Sequence, residues 1–255
     1  MLDSFRQNIK IRQYFTLTKR TLFVALIVTV LVTNYYFRNE TNLPILKTIS
    51  NNKCYNNSYV NTSTRNGHYI PNDNKSNETV AIVIPVRGRE MHLKIFLRYM
   101  HPFLMKQQIE YGIYVIEQTD DGKLFNKGRL LNVGYVEALK EYNYSCFIFH
   151  DVDLIPESDN KPPYKCGPQP IHLAASVNTL NYKLMYESLI GGVLALTKQQ
   201  VQKVNGFSNA YWGWGAEDDD LYNRLTSKGY NISRYPLAEC RYTMLKHTKN
   251  FPHAS

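Results

Sequence analysis

The sequence predicts an α/β domain built on a mostly parallel sheet with helices on both faces. Two observations predict it. Between residues 80 and 196, short apolar runs of the kind buried on both faces of a sheet alternate with segments whose apolar residues recur at helical spacing. Arginines and acids collect just after the C-terminal ends of those runs, where open α/β sheets bind ligands. A third observation narrows the class: no G-x-G-x-x-G follows the first apolar run, which disfavours a dinucleotide-binding Rossmann domain.

The 255 residues fit one catalytic-sized domain with accessory segments. The formal net charge of +9 and the 20 tyrosines argue against both disorder throughout and an acidic tail. The basic residues are spread along the chain and no nucleic-acid motif accompanies them, so nucleic acid is not an expected partner. Residues 21–37, TLFVALIVTVLVTNYYF, carry no charge and follow Arg6, Lys10, Arg12, Lys19 and Arg20. About 17 helical residues at about 1.5 Å each reach about 26 Å, enough for a thin bilayer. The positive flank should stay cytoplasmic, and Tyr35, Tyr36 and Phe37 should meet the far interface. A cleaved signal peptide is the alternative, but the charged leader is long and no small-x-small site directly follows the apolar run.

The expected order is a cytoplasmic tail at 1–20, a single-pass anchor at 21–37, a luminal stem at 38–79 and a globular domain at 80–255. The stem is rich in Asn, Ser and Thr, and reads as flexible. N-x-S/T triplets occur at Asn39, Asn56, Asn61, Asn74, Asn77, Asn143 and Asn231. Four cysteines, at 54, 146, 166 and 240, allow three complete pairings, and the absence of C-x-x-C spacing argues against structural zinc.

The elements follow in order. Residues 80–86 are an apolar run stopped by Pro85, and Arg87-Gly88-Arg89 lies at its end, placed for a nucleotide's phosphate or ribose or as ordinary loop charge. Leu93, Phe96, Leu97, Met100 and Leu104 make the core stripe of a helix over 90–108. Residues 112–117 are the second strand. Phe125-Asn126-Lys127-Gly128-Arg129 leads into a helix with Leu130, Leu131, Val133 and Leu139, and residues 146–150 are the third strand. That strand ends in Asp151-Val152-Asp153. Carboxylates at i and i+2 share one face of extended backbone, and their oxygens suit Mn²⁺ or Mg²⁺ facing a diphosphate. Solvated loop acids are the bland reading of the same triplet.

Residues 189–196 read as another buried strand, with Gly191-Gly192 where a ligand approaches the backbone. Thr197 caps a short helix that ends near Gly206. The stretch Tyr211-Trp212-Gly213-Trp214-Gly215-Ala216-Glu217-Asp218-Asp219-Asp220 sets both tryptophans of the chain beside four carboxylates. A sugar ring stacks on such aromatic faces and a hydroxyl is deprotonated by such acids. The rival reading is a packed turn followed by acids at a helix N-terminus, with the helix running over 218–228 and stopped by Gly229.

Taken together, Ile84-Pro85-Val86-Arg87-Gly88-Arg89, Phe125-Asn126-Lys127, Leu130-Leu131-Asn132-Val133-Gly134, Asp151-Val152-Asp153-Leu154, Gly191-Gly192-Val193, Trp212 to Asp220 and Met244-Leu245-Lys246-His247 resemble the β-1,4-galactosyltransferase family. The resemblance implies the GT-A fold, a Rossmann-like nucleotide-sugar-binding α/β domain, in a type II Golgi membrane enzyme with its catalytic domain luminal. It implies Mn²⁺ on Asp153, Met244 and His247. Pro85, Arg87, Arg89, Phe125, Lys127 and Val152 would line the nucleotide site, and Asp151, Gly192 and Glu217 would meet the donor sugar. Trp214 would be the stacking platform, Asp218 the catalytic base and Asp219 an acceptor contact. Cys146 and Cys166 match a family disulfide pair. The implied reaction is inverting transfer from UDP-Gal or UDP-GalNAc to the 4-hydroxyl of a terminal GlcNAc on a glycoconjugate.

The sequence departs from the family pattern at three places. Leu189-Ile190 stands where Tyr-Phe is usual; removing the tyrosine makes room at the donor's C2 substituent, so GalNAc transfer is expected to be favoured. Lys127 replaces an arginine and loses a bidentate contact. Ala216 replaces a glycine beside the expected base. The family pattern also continues past the histidine with a lid and acceptor-pocket residues, whereas this sequence ends at Ser255. The expectation is therefore a C-terminally truncated catalytic domain, with a catalytically weak UDP- or sugar-binding protein as the alternative to an active enzyme.

Overall fold

A computed structural model describes residues 9–13, 64–65, 68–71, 78–120 and 122–246, with backbone alone at 9–13 and 64–65. The expected anchor at 21–37, Cys54 and His247 lie outside the described residues. Among the described residues no helix is long and apolar enough to cross a membrane.

The elements run β1 (Ile9–Gln13), β2 (Thr64–Arg65), β3 (His68–Tyr69), β4 (Thr79–Val86), α1 (Glu90–Lys106), β5 (Glu110–Gln118), α2 (Lys127–Glu141), β6 (Cys146–His150) and β7 (Leu154–Pro156). They continue with β8 (Ile171–His172), β9 (Ser176–Val177), the 3₁₀ turn Asn178–Leu180, β10 (Val193–Thr197), α3 (Lys198–Val204), α4 (Glu217–Ser227) and β11 (Arg241–Met244). The main sheet has the order β2-β3-β5-β4-β6-β10-β8, and β7-β11-β9 form a second, smaller sheet.

The apolar runs form the centre of the main sheet because each is buried on both faces. Side chains alternate along β4. Val80, Ile82 and Ile84 pack with Leu93, Phe96, Met100 and Leu104 of α1. Ala81 and Val83 face the other way, with Leu130, Leu131 and Ala138 of α2 and Leu221 and Leu225 of α4. Gly134 permits the α2 contact, since a Cβ there would lie 2.2 Å from Val83 Cγ1.

The expected α/β sheet with flanking helices is therefore present, but only its centre is parallel. β4 pairs parallel with β5 and β6. β10 runs antiparallel to β6, and β8 antiparallel to β10. An apolar run such as Val193-Leu194-Ala195-Leu196 reports burial and carries no sign of direction. The strand expected from Leu189 begins at Val193, because Gly192 takes φ +88° and breaks the extended backbone before it.

Thr197 caps α3 with a reciprocal capping box through Gln200, and the helix closes on Asn205 in the left-handed region. Cys146 and Cys166 form a disulfide that ties the start of β6 to the proline-rich loop, and Cys240 is a buried free thiol. Within the range expected as stem, His68 and Tyr69 are buried and pair with β5. β1 pairs antiparallel with the far half of β5, Ile9 opposite Gln118. That pairing and a cytoplasmic tail at 1–20 are mutually exclusive arrangements for a chain that spans a membrane at 21–37.

Candidate functional site

The site is assembled where chain ends converge. The C-terminal ends of β4 and β6 deliver Pro85 to Arg89 and Asp151 to Asp153. The loop entering β10 delivers Gly191 and Gly192, and the N-termini of α2 and α4 deliver Lys127, Glu217 and Asp218. Two helix N-termini aimed at one place favour negative charge on a ligand there. Lys127, Asp151, Ile190, Gly191, Gly192, Glu217 and Asp218 line a small, open pocket together with apolar side chains beneath.

Lys127 is the electrostatic centre. Its Nζ lies 2.7 Å from Asp151 Oδ1 and 3.5 Å from Glu217 Oε1. Burial alone would lower the lysine's pKa, but Asp151 and Glu217 more than reverse this and hold it above its ordinary value. Burial pushes the Asp151 carboxyl up to about 6 while Lys127 pulls it down, so the two form a charged pair at neutral pH. A lysine here makes two contacts as a point charge, which answers the loss of arginine's fork.

Asn126 caps α2 by accepting from Arg129 N at 2.9 Å and also donates to Asn209 O. Asn132 grips the same segment, donating to Phe207 O at 2.7 Å and accepting from Phe207 N at 2.8 Å. Gly213 N donates to Phe125 O at 2.8 Å. These bonds fix the tryptophan loop to the start of α2. Arg87 donates to Lys123 O at 2.7 Å and lies 5.6 Å from the Phe125 ring centroid, so the two expected nucleotide residues form one cation–π unit. Arg89 stands at the N-cap of α1, half-buried, and Pro85 and Val152 are buried.

The tryptophan loop bends through left-handed residues: Gly213 at φ +90°, Gly215 at +100° and Ala216 at +74°. Ala216 is thus held where glycine would be unstrained. The turn leaves Trp214 84% exposed and sends Glu217 inward to 8%. Asp218 Oδ2 presses on Gly191; a Cβ at that glycine would lie 2.3 Å from it. Asp218 Oδ1 accepts from Asp219 N at 3.1 Å, and among the described residues Asp218 makes no ion pair. Asp219 hydrogen-bonds Tyr186; burial and the neighbouring Asp218 raise its carboxyl pKa, and that bond partly offsets them.

Asp153 and Met244 are brought together by the second sheet. Met244 stands opposite Leu154, and Leu245 N donates to Asp153 O at 2.7 Å. Thr179 Oγ1 donates to Met244 Sδ at 3.7 Å. A carboxylate and a thioether carried on adjoining backbone would offer part of a donor set for Mn²⁺, completed by diphosphate oxygens, with sulfur a soft ligand for it. Glu78, Cys146 and Cys166 also cluster, but both sulfurs are spent in the disulfide.

Of the expected site residues, Lys127, Asp151, Gly192, Glu217 and Asp218 meet in the pocket, with Arg87 and Phe125 paired nearby. Leu189 does not line the pocket; the buried Ile190 does, and Leu189 is half-buried beside it. Sequence reasoning gave no role to Asn132, which stood only within a motif, and missed His172 and Arg234; the contacts of all three lie far apart in the chain. Gly191 carried a signal, as half of a glycine pair.

Comparison with known proteins agrees with this geometry. The N-terminal region of glycosyl transferase group 7 matches residues 35–167, and the N-terminal domain of galactosyltransferase matches residues 171–248. Human β-1,4-galactosyltransferase 4 is 53% identical over 191 residues, covering 74% of this chain and 55% of that protein. Mouse β-1,4-galactosyltransferase 1 is 50% identical over 184 residues, covering 72% of this chain and 46% of that protein. The chain spans about half the length of the curated relatives it matches. The catalytic domain of Drosophila β1,4-galactosyltransferase 7 with xylobiose superposes with a TM-score of 0.56 at 33% identity, covering 62% of this chain and 64% of that one. A mutant of the Drosophila enzyme with manganese, UDP-Gal and xylobiose gives 0.59 at 28% identity, covering 69% and 77%.

Proposed function

The chain belongs to the β-1,4-galactosyltransferase family, and we propose that it is an inverting, Mn²⁺-dependent transferase of galactose or N-acetylgalactosamine from a UDP-sugar to the 4-hydroxyl of a terminal GlcNAc. The observation that carries the reading is the pocket itself. One carboxylate without an ion pair among the described residues, Asp218, faces a glycine backbone beside the Lys127, Asp151 and Glu217 cluster.

Asp218 takes the proton from the acceptor hydroxyl as that oxygen attacks the anomeric carbon from the face opposite UDP, which inverts the centre. Asp151 and Glu217, oriented by Lys127, accept hydrogen bonds from donor-sugar hydroxyls. Arg87 and Arg89 hold the nucleotide, with Phe125 and Val152 as its apolar walls. Trp214 presents a flat exposed face on which the acceptor ring stacks, and Asp219 holds an acceptor hydroxyl. Asp153, Met244 and His247, the last outside the described residues, would hold Mn²⁺, which would supply charge stabilisation for the departing UDP.

Leu189 gives the donor preference. It stands beside the pocket-lining Ile190 at the position where the family usually carries tyrosine, and its smaller, apolar side chain leaves room for an N-acetyl group. A donor panel with Mn²⁺ and a GlcNAc-terminated acceptor tests both levels. The expected result is turnover with UDP-GalNAc above UDP-Gal, reversed by Leu189→Tyr. Exclusive use of UDP-Gal by the parent would overturn the GalNAc preference alone. UDP binding without turnover of either donor would favour a binding protein over an enzyme.

The proposed location is the Golgi membrane, anchored through residues 21–37 with the domain luminal, an arrangement in which Ile9–Gln13 leaves the β5 edge. Glycan occupancy at the exposed Asn231 reports it, and an unmodified Asn231 with all N-x-S/T sites empty would argue for the alternative.

A further inference from the structure

We propose that His172 and Arg234 are a positioning pair that holds the 187–192 loop against Asp218 and so sets the sugar part of the site separately from its nucleotide part; this rests on the transferase reading above. The loop is irregular backbone, so its carbonyls need partners from elsewhere. His172 Nε2 lies 2.9 Å from Gly191 O. Arg234 Nε donates to His172 Nδ1 at 3.3 Å, and its Nη2 donates to Glu187 O at 2.6 Å and Leu189 O at 3.1 Å. One guanidinium and one imidazole thus hold three alternate carbonyls of the same loop.

The hydrogen bonds fix the tautomer. Arg234 has no acceptor to offer, so His172 Nδ1 must accept and Nε2 must carry the proton given to Gly191 O. Burial, reinforced by Arg234, lowers the His172 pKa to about 3, which keeps the ring neutral and the strut in one state. The pair's own footing is rigid. His172 N donates to Ser233 O at 2.9 Å, Ser233 N donates to Pro170 O at 2.8 Å, and His172 stands opposite Leu194 in the β8–β10 ladder.

On the pocket side the same loop meets the chemistry. Gly191 abuts Asp218 Oδ2, and Gly192 O accepts from Asp151 N at 2.8 Å. A shift of the Gly191 carbonyl therefore moves the wall against which Asp218 rests, and a shift of the Leu189 carbonyl moves the residue assigned to donor preference. Arg87 and Phe125 belong to other segments, and among the described residues they share no hydrogen bond with the pair. The pair acts on the sugar and leaves the nucleotide alone, which a merely structural role would not do.

Calorimetric titration of the full chain with UDP, UDP-Gal and UDP-GalNAc in the presence of Mn²⁺ tests this. His172→Leu should bind UDP within about twofold of the parent and lose about tenfold in UDP-sugar affinity, the scale of one buried carbonyl left unpaired. His172→Gln, whose amide can both donate to Gly191 O and accept from Arg234, should return to within about threefold. Arg234→Lys, which keeps the charge but not the fork, should lose about fivefold for UDP-sugars and shift the UDP-GalNAc to UDP-Gal ratio of kcat/KM; it decides the matter if His172→Leu fails to fold. Equal losses for UDP and UDP-sugars, or an unchanged ratio beside a lowered Tm, would overturn the positioning role. A parent that binds neither UDP nor UDP-sugar would overturn the transferase reading, and the pair's proposed role with it.

Discussion

Lys127→Met removes the cation that bridges Asp151 and Glu217. At an effective dielectric of about 20, contacts of 2.7 Å and 3.5 Å correspond to about 6 and about 5 kcal/mol of gross attraction. Most of this is offset by the cost of desolvating the three groups, whose side chains are only 21%, 30% and 11% exposed. What remains is the penalty of leaving two facing carboxylates without a counter-charge, about 3 kcal/mol, at the low end for a broken buried pair because some solvent reaches Asp151. For a domain of about 170 residues, that lowers Tm by about 6–12 °C. The assay is thermal unfolding of parent, Lys127→Met and Lys127→Arg at pH 7.5 in chelator, with UDP absent. Lys127→Arg should stay within about 2 °C of the parent, because guanidinium keeps the charge. Asp151→Asn added to Lys127→Met should recover part of the loss, with a coupling of about 1.5–3 kcal/mol. If Lys127→Met melts at or above the parent, desolvation outweighs attraction in this cluster and the assignment of Lys127 as its organiser is wrong.

Three further outcomes follow from the same geometry. Ala216→Gly relieves a left-handed alanine worth about 1–2 kcal/mol and returns about 0.4–1 kcal/mol of unfolded-chain entropy, so Tm should rise by about 2 °C; a fall would show that the alanine methyl is packed favourably. His150 and His172 are buried and neutral, with pKa values pushed down to about 3 from an ordinary 6.5. The unfolded chain binds the extra protons, so stability is full above pH 6.5 and falls as pH drops, by about 2 kcal/mol per histidine at pH 5; denaturant titrations at pH 7 and 5 that agree would refute it. Gly191→Ala puts a methyl 2.3 Å from Asp218 Oδ2, and should cut turnover about 100-fold with UDP affinity unchanged, whereas full activity would remove Asp218 from the role of base.

The fold's centre was legible because its physics is local. Fully buried strands are written as unbroken apolar runs and α1 as a stripe, and both sit where the sequence puts them. Strand direction is not local, so the apolar run of β10 carried no sign that it pairs antiparallel with β6. Two-residue strands such as β8 and β9 are too short to show any period, and β8 carries His172. The loop before β10 read as strand because Leu189 and Ile190 are apolar, and only the glycine pair marked the break. The expected site was legible as residue types in order, and five of those residues do meet in one pocket. The links between Asn132 and Phe207, and between His172 and Arg234, join residues 75 and 62 positions apart, a separation at which one sequence carries no signal of contact.

The four consecutive acids at 217–220 could not be told apart by sequence spacing, and the start of α4 separates them. Successive residues turn about 100°, so four acids face four directions. Glu217 points at Lys127, Asp218 at Gly191, Asp219 at Tyr186 and Asp220 at Arg224, with Arg224 Nη2 2.6 Å away. The helix N-terminus tolerates all four charges, and the two cations draw off two of them. A general base needs an oxygen that faces the substrate and is not already held by a cation. Orientation admits only Glu217 and Asp218 to the pocket, and Lys127 claims Glu217. Helix phase and ion pairing taken together leave Asp218 as the residue for the proposed base, and the left-handed turn at Ala216 sets the phase.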